Sequence, residues 1–352
     1  MAEGENRRFT TGDFDFVLPD ALVAQHPPAV RGTSRLLDVA RHGRTLVDRG
    51  FPDLVQLIPT GDLLVVNTTR VRKARLLGTR PTSELPAEVL LIHPGKDDGT
   101  WVAMGKPGSA MQPGKRIRLA PGHEIETLAV LDDVFRLVQF VGITAEEAMR
   151  QYGHVPLPPY IDRADEPEDE SRYQTVYAKR EGSVAAPTAG LHFTEAILAD
   201  LQQKGVEVGQ LELDVGPGTF KPVDVDDITA HPMHEEQFDI PEALAAQIAA
   251  LRARGGRLWA VGTTTVRALE SVARPDGTVP AGPGATSIFI HPGYNWRAVD
   301  ALITNFHLPR STLLMLVSSF AGYDTAMAAY AHAVQAEYRF YSYGDAMVIH
   351  RS

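Results

Sequence analysis

Apolar and polar residues follow two different rhythms along this chain. Between residues 88 and 141, the short β-rich runs EVLLIHP, TWVAMG, KRIRLA and FRLVQFV are separated by Gly, Pro and Asp at intervals of about ten residues. This spacing predicts a small antiparallel sheet or barrel. After Gly182, strand-like runs alternate with longer helical patterns. Such alternation predicts a parallel sheet or partial barrel, with active groups beyond the carboxyl ends of the strands.

Turn-forming residues indicate where the elements of the second part begin and end. The pattern predicts one helix that ends at Gly205 and another that begins at Pro241 and ends at Gly255. VEVGQLELDVG, LWAVG, SIFIHPG and DALITNF are predicted strands. The N-terminal segment also mixes helix and strand patterns, so we assign it to the α/β domain. We therefore predict a discontinuous α/β domain, residues 1–68 and 152–352, with an inserted small domain, residues 69–151.

Composition and charge narrow the classes of function. The 352 residues include no Cys, which excludes disulfides, thiolate nucleophiles and thiolate metal sites. A net charge of −10 argues against a general nucleic-acid coat, although residues 70–118 hold ten basic and four acidic residues. The longest apolar run, residues 313–320, is shorter than the roughly 20 residues of a membrane span, and no signal peptide is recognisable. We therefore expect an unanchored cytoplasmic protein.

Four basic residues lie within six positions after the apolar run LLVVN: Arg70, Arg72, Lys73 and Arg75. Four positive side chains so close together cannot all be buried. Two interpretations fit them equally well, a solvated protein face or a contact surface for nucleic-acid phosphates.

The turns after four predicted strands are rich in hydroxyl residues, Gly, His or Asn, and a helix follows each. They are residues 187–193, 216–220, 262–265 and 304–311. Backbone N–H groups at a helix N-terminus attract anions, so a carboxylate or phosphate is the expected ligand. The alternative for any one turn is a hydroxyl N-cap without a ligand. Neither GxxxxGK(S/T) nor GxGxxG occurs, which argues against ATP hydrolysis and nicotinamide binding.

His231 and His234 have a spacing that can suit a metal ion on one face of a helix. Pro232 lies between them, and the sequence offers no clear third ligand. We therefore expect no metal site.

Several longer blocks of sequence resemble one known family. They are SRLLDV (34–39), GDLLVVNTTRV (61–71), PLPPYIDR (156–163), AAPTAGLHFT (185–194), AVGTTTVRALES (260–271), TNFHLPRSTLLMLVSSFAG (304–322) and YRFYSYGDAMVI (338–349). These blocks are similar to the S-adenosylmethionine:tRNA ribosyltransferase-isomerases of queuosine biosynthesis. The resemblance runs essentially from end to end, and AAPTAGLHFT and TNFHLPRSTL are its most specific parts.

The resemblance implies a partial (β/α) barrel that carries an inserted small antiparallel β-barrel domain. It also implies an enzyme that transfers and isomerises the ribosyl part of S-adenosylmethionine, its co-substrate, without a prosthetic group. The acceptor would be 7-aminomethyl-7-deazaguanine at the wobble position of tRNAs with GUN anticodons. The products would be epoxyqueuosine-tRNA, adenine and methionine. A monomer is favoured, and the anticodon arm would dock on the four basic residues.

Two positions depart from the family pattern, which usually has His where this chain has Asp214 and Asp where it has Thr68. Both changes remove a group able to carry protons. Two alternatives therefore stay open: a paralogue that uses the same donor with another acceptor, and a tRNA-binding protein without catalytic activity.

Within the family frame, a sulfonium donor needs a base for the acidified 5′ ribose carbon and an acid for the departing adenine. The candidates are His307 and His192, with Asp214 next. The alternative for each His is a hydrogen-bonded structural residue.

The remaining candidates would bind the substrates. The methionine carboxylate suits the N–H groups of Thr264 and Thr265, with Arg267 or Arg310 as its ionic partner. The candidates for stacking on adenine or the deazaguanine are Phe193, Phe220 and Tyr160. The other predicted substrate contacts are Thr188, Thr219, Thr263, Asn305 and Ser311.

Overall fold

The computed structural model describes residues 7–40, 45–216, 223 and 225–351. Its strands are β1 (Arg35–Ala40), β2 (Leu46–Gly50), β3 (Leu63–Asn67), β4 (Thr69–Val71), β5 (Arg75–Thr79), β6 (Pro86–Pro94), β7 (Thr100–Lys106), β8 (Arg116–Ala120), β9 (His123–Val130), β10 (Arg136–Val141), β11 (Gly153–His154), β12 (Arg180–Ser183), β13 (Glu207–Leu213), β14 (Glu236–Ile240), β15 (Leu258–Val261), β16 (Gly282–Thr286), β17 (Ala301–Asn305) and β18 (Ala346–His350). Its α-helices are α1 (Leu54–Leu57), α2 (Ala145–Tyr152), α3 (Asp169–Arg172), α4 (Glu195–Gln203), α5 (Glu242–Ala253), α6 (Thr263–Val272), α7 (Thr312–Ala321) and α8 (Tyr323–Gln335).

Nine of the described strands form one mixed sheet, in the order β16-β14-β13-β3-β15-β17-β18-β1-β2. In its centre, β13, β3, β15 and β17 lie side by side and run in the same direction. β18 is antiparallel to β17 and parallel to β1. The predicted α/β class is therefore confirmed, and the sheet is mixed, with parallel pairs in its centre and between β1 and β18.

β3 shows why the centre of the sheet has a continuous apolar sequence. Leu63 and Val65 pack into a cluster that includes residues of α5 to α8, whereas Leu64 and Val66 pack into a second cluster with residues of α1 and α4. Because helices cover both faces, every residue of the strand is buried and no polar alternation appears.

A second sheet is antiparallel, and among the described residues it has seven strands in the order β11-β5-β6-β7-β10-β9-β8. An additional pairing of Thr79 with Arg118 joins β5 to β8. The four predicted runs correspond to β6, β7, β8 and β10. β9 was not predicted, and only Ile125 and Thr127 of its eight residues are buried. The alternation of these two with Glu124 and Glu126 is the signal that could have found it.

One predicted strand is wrong. SIFIHPG does not form a strand, and β16 lies immediately before it in the glycine-rich sequence GPGAT. Phe238 of β14 packs against Gly284, where an added Cβ would lie 2.5 Å from the ring. β16 therefore needs glycine at a position where the pattern of a buried strand would have an apolar residue. Ile290 of the misassigned run is buried in the core without belonging to a strand.

The predicted helix ends are confirmed. α4 ends two residues before Gly205 and α5 two residues before Gly255, and both glycines have positive φ, as is typical after a helix. In the described part of the chain, no helix combines the length and apolar character that crossing a membrane requires.

Candidate active site at the carboxyl edge of the large sheet

The carboxyl ends of the four central parallel strands meet at one edge of the large sheet. β13 ends at Leu213, β3 at Asn67, β15 at Val261 and β17 at Asn305. Asn67 joins two of these ends, because its Nδ2 donates to the carbonyl of Leu213 and its Oδ1 accepts from the N–H of Leu213, both at 3.0 Å. The turns that follow the strands are therefore neighbours, as the strand directions require.

A cleft lies at this edge, and its space of about 630 Å³ includes a part that is open to solvent. Three of the four predicted turns contribute to its wall. The candidate residues that line it are Tyr160, Thr188, Thr263, Thr264, Asn305, His307 and Ser311. Thr219 and Phe220, on the fourth turn, lie outside the described residues, although Val215 just before that turn also lines the cleft.

His307 lies in the wall of the cleft, on the turn after β17. Its Nε2 is 2.9 Å from the Oγ1 of Thr304, and its backbone N–H donates to the hydroxyl of Tyr330 at 2.9 Å. In the described part of the chain no hydrogen bond engages Nδ1. Burial lowers the pKa of His307 to about 3, so the imidazole is neutral at pH 7 and can accept a proton.

His192 is buried behind the cleft and does not line it. Its Nδ1 is 2.8 Å from the Oγ of Ser34, and its Nε2 is 3.0 Å from the Nδ2 of Asn305. Because an amide nitrogen only donates, Nε2 is the acceptor and Nδ1 carries the proton. Burial lowers the pKa of His192 to about 4.

Asn305 lines the cleft and is held from behind. Its Nδ2 donates to His192 and, at 2.9 Å, to the carbonyl of Tyr341. Its buried Oδ1 has no partner among the described residues. An unpaired buried acceptor costs about 1–3 kcal/mol, which a donor group of a bound substrate could offset.

Tyr160 and Phe193 lie in different places, although both were candidates for stacking. Tyr160 lines the cleft, with its ring 4.5 Å from the ring of Tyr341 and its hydroxyl 2.7 Å from the Oγ of Ser342. Phe193 is fully buried in a core cluster, where its ring contacts Phe51. Among the described residues, the aromatic side chains in the wall of the cleft are Tyr160, Phe306 and Tyr341.

A buried ion pair fixes the segment that carries Tyr160. Asp169 accepts two hydrogen bonds from Arg163, at 2.7 and 2.9 Å, and a third from the hydroxyl of Tyr343 at 2.6 Å. Burial acts to raise the pKa of Asp169, but these hydrogen bonds outweigh it and the pKa is lower than usual. The segments around Tyr160 and Ser342 are thereby joined on one side of the cleft.

The N-terminus of α6 brings Thr263 and Thr264 into the cleft, whereas Thr265 and Arg267 point into the protein. The hydroxyl of Thr265 donates to the carbonyl of Val261 at 2.7 Å. Arg267 forms a buried ion pair with Glu236, and its Nε and Nη2 have no partner among the described residues. Burial raises the pKa of Glu236, although Arg267 opposes this effect.

The turn before α7 also separates two candidates. Arg310 is exposed, does not line the cleft, and forms an ion pair with Asp15 at 2.5 Å. Ser311 lines the cleft and caps α7, because its Oγ accepts from the N–H of Leu314 at 3.2 Å. The hydroxyl of Ser311 also donates to the carbonyl of Leu308 at 2.7 Å.

The two departures from the family pattern lie outside the cleft. Asp214 accepts from the hydroxyl of Thr69 at 3.1 Å and from Arg180 at 3.3 Å. Its carboxylate occupies the space beside Gly182, where any Cβ would overlap with it. The hydroxyl of Thr68 is buried and donates to the carbonyl of Leu211 at 3.1 Å. Both side chains therefore help to join β4, β12 and β13.

Glutamates neutralise most of the predicted tRNA-binding residues. The ion pairs are Arg70 with Glu181 (3.9 Å), Lys73 with Glu170, and Arg75 with Glu88 (3.0 Å). Arg72 donates to the carbonyl of Glu181 at 3.2 Å, and its guanidinium lies over the ring of Trp101. β4, which carries Arg70, pairs with β12, and the chain after β12 leads into the wall of the cleft.

The two histidines considered for a metal each contact an aromatic ring, His231 with Phe289 and His234 with Phe135. Within the described ranges, no three His, Asp or Glu side chains are grouped so that they could hold a metal ion.

Sequence reasoning missed several residues of the cleft: Thr304, Tyr341 and Ser342. Thr304 is three residues before His307 at the end of an apolar strand, a spacing that could have indicated a pair. Tyr341 and Ser342 lie in the block YSYGD and have no local pattern that points to a site.

Sheet order and cleft together define an α/β protein with a cleft at the carboxyl ends of its central parallel strands. A family model described as "Queuosine biosynthesis protein" matches residues 11–349, and the chain belongs to this family. It is 51% identical over 347 residues to the S-adenosylmethionine:tRNA ribosyltransferase-isomerase of Dechloromonas aromatica (strain RCB), with 97% of each chain covered. It is also 51% identical over 340 residues to the protein of the same name from Thiobacillus denitrificans, again with 97% of each chain covered.

A solved structure is similar over nearly the whole chain. It is the crystal structure of S-adenosylmethionine tRNA ribosyltransferase from Thermotoga maritima, which is 33% identical and has a TM-score of 0.55. The similarity covers 96% of this chain and 99% of that one.

Proposed function

We propose that the chain is an S-adenosylmethionine:tRNA ribosyltransferase-isomerase. The ribosyl part of S-adenosylmethionine would be transferred and isomerised onto 7-aminomethyl-7-deazaguanine at the wobble position of tRNA, giving epoxyqueuosine-tRNA, adenine and methionine. The observation that carries the proposal is the cleft itself, where the neutral His307 and the N-terminus of α6 face one space. The 51% identity to relatives with this name supports it.

In this proposal, the donor lies across the strand ends. Its methionine carboxylate takes the N-terminus of α6 at Thr263 and Thr264, where backbone N–H groups and the helix dipole favour an anion. The inward direction of Arg267 and the pairing of Arg310 with Asp15 do not favour either as the carboxylate's ionic partner. Tyr160 offers a ring on which adenine or the deazaguanine can stack.

His307 is proposed as the base, with Nδ1 as its reacting atom. The sulfonium acidifies the 5′ carbon of the ribose, and Nδ1 takes the proton from that carbon, whose electron pair stays on carbon next to sulfur. Once protonated, the same nitrogen can return the proton to the departing adenine. The sulfur later leaves with the C–S bonding electrons, as neutral methionine.

For the tRNA, we propose docking of the anticodon arm on the strip formed by Arg70, Arg72, Lys73 and Arg75. Phosphates would replace the glutamate partners, because exposed ion pairs contribute only about 0–1 kcal/mol.

We also propose that residues 69–151 form an inserted domain, which the pairing of β5 with β8 closes into a barrel. The large sheet that carries this domain would form a partial barrel. A tRNA with a GUN anticodon is a cytoplasmic substrate, which favours a cytoplasmic location for the chain. We also propose that the chain acts as a monomer.

The test is adenine release from S-adenosylmethionine by the purified protein, with and without tRNA that carries the 7-aminomethyl-7-deazaguanine precursor. Release that requires this tRNA is the expected result, with epoxyqueuosine detected in the digested tRNA. Release with another nucleoside or amine instead would indicate a paralogue. No release at any concentration, together with intact tRNA binding, would indicate a binding protein.

A further inference from the structure

We propose that Thr304 is a positioning residue: its hydroxyl holds the Nε2 of His307 and thereby assigns Nδ1 as the atom that faces the substrate. The inference deepens the proposed function and rests on it. Both side chains line the cleft, and each is nearly buried, with exposed fractions of 1% for Thr304 and 9% for His307.

The imidazole is fixed from two sides. Its backbone is held by the hydrogen bond from its own N–H to the hydroxyl of Tyr330, and the preceding Phe306 is fully buried with its ring 5.5 Å from the ring of Tyr330. Its ring is held at the other end by Thr304, at 2.9 Å. In the described part of the chain, this leaves Nδ1 as the ring nitrogen without a partner.

A hydroxyl suits this role because its oxygen can accept a hydrogen bond from Nε2 whether the ring is neutral or protonated. When Nδ1 is a free base, the proton lies on Nε2 and the Oγ1 of Thr304 accepts it. When Nδ1 takes up a substrate proton, Nε2 keeps its own proton and the same hydrogen bond persists. Proton transfer therefore needs no movement of the ring, and the positioned geometry is kept through the reaction.

The environment of His192 is different in this respect. Its Nε2 faces the amide N–H of Asn305, which cannot accept, so protonation there would break the hydrogen bond. Its Nδ1 is occupied by Ser34. With both nitrogens engaged behind the cleft, His192 fixes the amide of Asn305, and proton transfer falls to His307.

The experiment compares the wild-type protein with Thr304→Val, Thr304→Ser and Ser318→Ala. Valine keeps the shape of threonine without its hydroxyl, and serine restores the hydroxyl. Ser318→Ala is the matched control, because Ser318 is a fully buried residue of α7 whose hydroxyl has no partner among the described residues. The readouts are the ¹⁵N spectrum of histidine-labelled protein, assigned with His307→Gln, and kcat and KM for adenine release.

We expect wild-type His307 to show one tautomer with its proton on Nε2, and Thr304→Val to show a mixture of tautomers. In Thr304→Val, kcat should fall by at least about tenfold, since a well-placed base contributes roughly 10²- to 10⁴-fold, while KM for S-adenosylmethionine changes little. Thr304→Ser and Ser318→Ala should resemble wild type in both readouts. Because the wild-type spectrum is informative by itself, the test does not depend on the folding of any variant.

Two results would overturn the inference: a wild-type proton on Nδ1, or an unchanged kcat in Thr304→Val. A failure of the proposed function is recognised separately. If the wild-type protein releases no adenine although its spectrum shows the Nε2 proton, the proposed reaction is wrong and the pairing of Thr304 with His307 is retained as a fact of structure.

Discussion

Removing two acidic residues should strengthen tRNA binding. Glu170 pairs with Lys73 and Glu181 with Arg70, and all four side chains are well exposed. A phosphate that binds this strip must displace these carboxylates. Each exposed pair contributes about 0.2–1 kcal/mol, so changing both glutamates to glutamine removes about 0.4–2 kcal/mol of competition. This corresponds to a roughly 2- to 30-fold lower Kd.

The assay is a fluorescence titration of a labelled anticodon stem-loop at several KCl concentrations. For four phosphate contacts of single-stranded character, log K should fall with log[KCl] with a slope of about −3. In the double variant, log K should be higher at every KCl concentration and the slope should stay the same, because the same Arg and Lys side chains contact the phosphates. Glu124→Gln is the matched control, since it removes a similar partner, that of Arg116, outside the strip.

Weaker binding by the double variant, or a wild-type slope shallower than about −1, would contradict docking of the anticodon arm on this strip. If Glu124→Gln gave about half the free-energy change of the double variant, only net charge would matter, because the control removes one negative charge and the double variant removes two. In either case the anticodon arm would have to dock elsewhere.

Three further changes test the site and the fold. Asp169→Asn should lower the free energy of unfolding in urea by about 3–5 kcal/mol, because Arg163 loses its buried partner. Since the pKa of Asp169 is lowered in the folded protein, the difference from wild type should be present at neutral pH and vanish as acid protonates the carboxylate. A difference that does not depend on pH would contradict this explanation. Glu270→Gln should cost at least about 1–3 kcal/mol in the same assay, because the carboxylate accepts from three backbone N–H groups of residues 297–299 and from Tyr294. His307→Ala should lower the rate of adenine release at least tenfold, because a positioned general base contributes roughly 10²- to 10⁴-fold, and an unchanged rate would remove His307 from the mechanism.

Much of the large domain could be predicted because its signals are local. A buried strand, a turn of small polar residues and a helix start occur within a few positions, so the turns around Thr188, Thr263 and His307 could be found from the sequence. The directions of individual side chains could not. Arg267 follows Thr264 by less than one turn, yet it points inward because Glu236, distant in sequence, is buried beside it.

The two histidines and the basic strip show the same limit. His192 and His307 lie in equally family-like blocks, and they differ through their partners: His192 contacts Ser34, which is distant in sequence, and His307 contacts the nearby Thr304. The excess of positive charge counted over residues 70–118 is partly cancelled by Glu170 and Glu181, which lie outside that stretch and pair with it in space. Counting charges along the sequence does not show contacts between residues that are distant in sequence.

The place of β18 in the large sheet has a consequence for synthesis on the ribosome. β1 pairs with β18 on one side and with β2 on the other, and about 300 residues separate β1 from β18 in sequence. At roughly 5–20 residues per second, the first strand waits about 15–60 s for β18, and until then its edge opposite β2 lacks that partner. A nascent chain stopped before Ala346 would therefore leave one edge of β1 unpaired, which makes unfinished copies good substrates for chaperones and proteases.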